Sequence, residues 1–99
     1  SDAMIQVRVD ASVFWPDGGT GQISGSLDFE CLPRAGDLIA LGDWNAKVET
    51  VIHIPGKSGG VLLMLEDFDL ESAELKDRLA ESISSRLGLF FDDHSGSAL

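Results

Sequence analysis

The chain predicts a mainly β (α+β) fold: a small five-stranded SH3-like barrel or strongly bent antiparallel sheet, with one C-terminal amphipathic helix packed on its outside. Three observations carry this. Two long stretches, Ile5–Val13 and Ile23–Cys31, place apolar residues or Gly at every second position, the period of a strand with one wet face. The run Val61-Leu62-Leu63-Met64-Leu65 is apolar at both parities, so the strand it forms has to be covered on two sides. From Leu70 to Leu87 the period changes to that of a helix, with Leu75, Leu79, Ile83 and Leu87 along one side.

The first strand is expected over residues 5–15. Ser1, Asp2 and Ala3 ahead of Met4 read as the remnant of a cleaved expression tag, with Met4 as the natural start, and are set aside. Pro16-Asp17-Gly18-Gly19-Thr20-Gly21 is rich in residues that tolerate positive φ, which predicts a hairpin into a second strand over 22–31, with Cys31 facing inward beside Phe29. Pro33 cannot donate to a ladder and Gly36 permits a tight corner, so the chain turns there into a short third strand, 38–41. After the turn signal Gly42-Asp43-Trp44-Asn45, a fourth strand is expected over 46–54, with Val48, Thr50, Ile52 and Ile54 sharing one face. Pro55 to Gly60 returns it to a fifth strand, 61–68, and five strands in meander order suit a small barrel. The helix over 70–87 has Asp69 or Ser72 as its cap, acids in its first turn and Gly88 as a left-handed stop. Residues 92–99 are small and polar enough to form a mobile tail, which leaves 4–91 as a single domain.

Composition narrows the function. At 99 residues the chain has one core, and 43% hydrophobic residues place it in the globular class despite a net charge of −10. No apolar run reaches the roughly 18 residues that span a bilayer, so no membrane association is expected and the location is taken as cytoplasmic. The single Cys31 has no internal partner for a disulfide. Residues 1–60 carry four Lys or Arg against eight Asp or Glu, and residues 61–99 three against nine. Neither half offers the basic patch from which nucleic-acid binders draw their affinity, so no nucleic-acid partner is expected. The aromatic groove of a peptide-binding SH3 domain is also missing, since the chain has no Tyr.

Gly56-Lys57-Ser58 ends like a phosphate-binding loop, but Val51 stands where that motif needs its first Gly, and a strand follows where it needs a helix. Asp17 to Gly21 has no basic residue and reads as a turn. Glu66, Asp67, Asp69, Glu71 and Glu74 put five carboxylates in nine residues without the Gly-centred spacing of a calcium loop, and a helix N-terminus already accounts for them. His53, His94 and Cys31 have no ligand or triad spacing. No catalytic residue, cofactor or metal is therefore expected. Trp15 and Trp44 fall at strand ends, where each indole plugs the end of the barrel or stands out as a contact residue, with plugging favoured. Leu89, Phe90 and Phe91 follow the helix stop directly. They are expected either to bridge two subunits as a homodimer or to fold back on the domain as an added edge strand. The function these features support is a non-catalytic protein-interaction or assembly module acting through an apolar patch or sheet edge; the alternative is a small-ligand-binding domain or small enzyme with a site near His53 or the acidic run Glu66 to Glu74.

Overall fold

The computed structural model describes residues 3–95. Its strands are β1 (Ile5–Trp15), β2 (Gly19–Phe29), β3 (Leu38–Leu41), β4 (Trp44–Ile54), β5 (Gly60–Leu65), β6 (Phe68–Asp69) and β7 (Phe90–Asp93), and its helix is α1 (Ala73–Leu87). The strands form one strongly curled half-barrel sheet in the order β3-β4-β5-β1-β2-β7, with β6 also on β1, and α1 packs on it. The meander expected from the sequence is interrupted. β5 crosses to pair with β1 in parallel, Val9 against Leu63, so the sheet is not wholly antiparallel and ends in two edges, β3 and β7.

The alternating residues of β1 drive the assembly. Val7, Val9, Ala11, Val13 and Trp15 are all buried, and they join Ile23, Val48, Leu63, Leu65, Leu79 and Ile83 in one core between the sheet and the helix. Leu79 and Ile83 are fully covered. The helix begins three residues later than its apolar period suggests, because Asp69 is tied into β6 and the Leu70 N–H donates to the Phe14 carbonyl at 2.8 Å. Ser72, extended at φ −157°, is the cap, and its Oγ accepts from the Leu75 N–H at 3.1 Å. Gly88 at φ 67° closes the helix in the left-handed region, and the Leu89 N–H then bonds the Ile83 carbonyl.

Four further expectations are corrected. β2 starts at Gly19, inside the stretch read as a turn, because only Pro16, Asp17 and Gly18 are needed to reverse the chain, with Asp17 and Gly18 both at positive φ. β2 ends at Phe29, so Cys31 lies beyond the ladder and is exposed instead of facing inward. The fifth strand stops at Leu65, and Phe68–Asp69 forms a separate short strand on β1. Asp92 and Asp93 belong to β7 and not to a tail; the tag residues Ser1 and Asp2 and the tail residues 96–99 lie outside the described residues.

Candidate interaction surface

The residues singled out after the helix stop are folded back on their own sheet. β7 pairs antiparallel with β2, Phe91 opposite Ile23 and Phe90 opposite Ser24. Leu89 is 2% exposed and Phe91 is half-buried, its ring 6.1 Å from that of Trp15. Room for them is made on β2: a Cβ on Gly21 would stand 2.7 Å from the Phe91 ring, and one on Gly25 2.8 Å from Leu89 Cδ2. Trp15 lies over Gly19 in the same way and plugs its end of the sheet. Lys76 clamps this corner. Its Nζ sits 5.0 Å from the centre of a Trp15 ring and bonds Asp77 at 2.7 Å and Asp93 at 3.2 Å. The Asp77 hydrogen bond, ahead of the other contacts, raises the Lys76 pKa above its ordinary value. Asp93 is held below the usual carboxylate value first by the Ser95 hydroxyl and backbone N–H, with Lys76 adding to the effect. Of the three residues, only Phe90 stands out from the surface, at 67% exposure.

Trp44 is half-buried beside an open groove of about 540 Å³ between the β3–β4 turn and α1, where Arg86 lies 3.6 Å from Asp43. The lining of that groove has acids, two Arg and two Ser but no His or Cys. His53 is exposed near the end of β4, and the carboxylates of Glu66, Asp67, Asp69, Glu71 and Glu74 all point to solvent. Among the described residues, no group of three or more His, Cys, Asp or Glu side chains is placed to hold a metal ion, and no helix is long and apolar enough to cross a membrane.

The surface that stands out is one that residue spacing alone did not reveal. Between Val48 and Thr50 the β4–β5 register shifts by one residue. A bulge of this kind reverses the facing of everything after it. Val48 is buried, yet Ile52 and Ile54, of the same parity, are turned to the outer face and are 39% and 44% exposed. On that face Ile52 lies opposite Leu62 and Thr50 opposite Met64, and across β1 the neighbours are Arg8 and Asp10. Leu62 and Met64 are only half-buried, so β5, apolar on both sides, has a cover on one side alone. The expectation of two covers is met once.

The same stretch of β4 is also an edge. β3 pairs with Trp44 to Lys47, and two further bonds join Gly36 and Asp37 to Val48. From Thr50 to Ile54, no strand among the described residues pairs with the side of β4 that faces away from β5. Thr-Val-Ile-His-Ile is a run of mainly β-branched residues that itself contains no Lys, Pro or acid, the side chains that blunt an open edge. β7, at the other edge, ends in Asp92 and Asp93. No family model, curated protein or solved structure matches the chain.

Proposed function

We propose that the chain is a non-catalytic protein-interaction module whose working surface is the Thr50–Ile54 edge of β4 together with the adjoining outer strip of Ile52, Ile54, Leu62 and Met64. The observation that carries this is the pairing of two unmet needs in one place. An unpaired strand edge presents a row of backbone donors and acceptors, and next to it a strand apolar at both parities has one face left open. Strand addition satisfies the first through main-chain bonds and lets side chains of the added strand pack beside Ile52 and Ile54. Nothing in this mode of action calls on the imidazole of His53, on Cys31 or on the acidic run; His53 enters it only as one residue of the edge.

The test is retention of binding partners by immobilised protein, wild type against Ile52→Lys and Met64→Lys. Ile52 is exposed and Met64 half-buried, both on the outer face and outside the core, so the variants are expected to fold, which circular dichroism checks. Partners held by the wild type and lost by both variants support the reading. Partners held equally by all three proteins overturn it.

A further inference from the structure

We infer that the occupant of the β4 edge is the same edge of a second copy of this chain, joined antiparallel about a two-fold axis at Ile52. This rests on the interaction reading above and adds the partner to it. Two copies that each carry a net charge of −10 repel one another, so self-association needs a contact zone with no acid in it. Thr50–Ile54 is such a zone, whereas β7 would bring Asp92 and Asp93 of two copies together.

The flanks of the segment set the register. Pro55 has no N–H and ends any ladder, and Glu49 stands in the bulge at the other end. With the axis at Ile52, Thr50 faces the partner's Ile54, Val51 faces the partner's His53, and Ile52 faces its own counterpart. The two Glu49 side chains then lie at opposite ends of the contact, each toward the partner's turn that carries Lys57. Sliding two residues one way draws Pro55 into the ladder, and sliding two the other way sets Glu49 opposite the partner's His53 and drops Ile54 from the pairing. Residues directly opposite in an antiparallel pair share a face. The centred register therefore merges the two outer strips, with Ile52 and Ile54 of both copies side by side. An isologous contact of this kind closes as a dimer and leaves no free copy of the edge.

The test is sedimentation of the full-length chain over a micromolar concentration series, with site-directed cross-linking. The expected results are a dimer that dissociates on dilution, at least tenfold weaker association in Ile52→Lys and in Ile54→Lys, and efficient oxidative cross-linking of Ile52→Cys in a Cys31→Ser background, since opposite residues at the axis lie about 4.5–5.5 Å apart between Cα atoms. Phe90→Cys in the same background is expected not to cross-link. A wild-type chain that stays monomeric at high micromolar concentration, a dimer indifferent to Lys at positions 52 and 54, or cross-linking through Phe90→Cys but not Ile52→Cys overturns the inference. A monomer whose capture of some other protein still depends on Ile52 would sink the second-copy assignment alone and leave the interaction reading standing.

Discussion

At the scale of single residues, the corner built from Trp15, Leu89 and Phe91 depends on side chains that are not there. Gly19, Gly21 and Gly25 alternate along the inner face of β2, and each leaves a hollow that a bulky neighbour fills. Gly21→Ala sets a methyl against the Phe91 ring and the Asp92 carbonyl oxygen at 2.7 and 2.8 Å. Overpacking of this sort costs about 1–3 kcal/mol, and urea unfolding of the variant should show a loss in that range, with β7 amides exchanging faster than those of β1. Lys76 acts on the same corner from outside. Its pKa is raised, so what its charge contributes is fully present below the ordinary Lys value of 10.5 and is lost as pH rises through the higher folded value. The Asp93 pKa is lowered, so its contribution is present above the ordinary value of 3.8 and is lost as pH falls through the lower folded one. Between those limits neither Lys76 nor Asp93 changes its charge. Lys76→Met should therefore shift the melting temperature by a small and constant amount from about pH 5 to about pH 9, as expected for an ion pair whose carboxylates are exposed, and a difference that varies across that window would show that the clamp works otherwise.

At the scale of elements, the helix was the easiest to read and the fourth strand the hardest. Leu79 and Ile83 are fully buried where the 3.6-residue period put them, and Leu79→Ala should cost about 2–5 kcal/mol in equilibrium unfolding. A loss below half a kilocalorie would mean that the helix does not share the sheet's core. Its acidic first turn needs no metal: Glu74 lies in the first turn, Ser72 caps it, and the neighbouring carboxylates face solvent. Millimolar Ca²⁺ or Mg²⁺ should leave the melting temperature nearly unmoved, and a rise of many degrees at micromolar metal would contradict this. The strands of β1 and β2 were legible because alternation reports facing directly. β4 was not, because a bulge changes facing without changing residue type. Val48, Thr50, Ile52 and Ile54 look like one face in the sequence and are two in the structure. Phe68–Asp69 was hidden for another reason: it has too few residues to show a period, and only its partner on β1 makes it a strand. The edge strand at Phe90–Asp93 was one of two readings of three apolar residues after the helix stop, and the pairing with β2 is what favours it.

At the scale of the whole molecule, the parallel pairing of β1 with β5 decides where charge and apolar surface end up, and no local pattern announces a contact between residues more than fifty positions apart. Along β1, the apolar strip lies beside Arg8 and Asp10 through Leu62 and Met64, and the acidic helix start lies beside Phe14 through Asp69. Four to six residues of extended chain separate them by about 13–20 Å, more than the Debye length of ~10 Å at 0.1 M salt. Apart from Glu49 at the margin of the edge and Asp10 across β1 from Met64, repulsion between two copies then comes from acids outside Thr50–Ile54, and salt screens it, while the backbone and apolar contact at the edge is left in place. Self-association should consequently tighten severalfold when sodium chloride is raised from about 20 to about 300 mM, over which range the Debye length falls about fourfold. A dimer held by ion pairs, such as one joining the Arg78 and Arg86 side of α1 to the acidic helix start, would weaken over the same range. Sedimentation equilibrium at the two salt concentrations separates these outcomes, and a dissociation constant that rises with salt would move the contact away from the β4 edge and onto the charged faces of the helix.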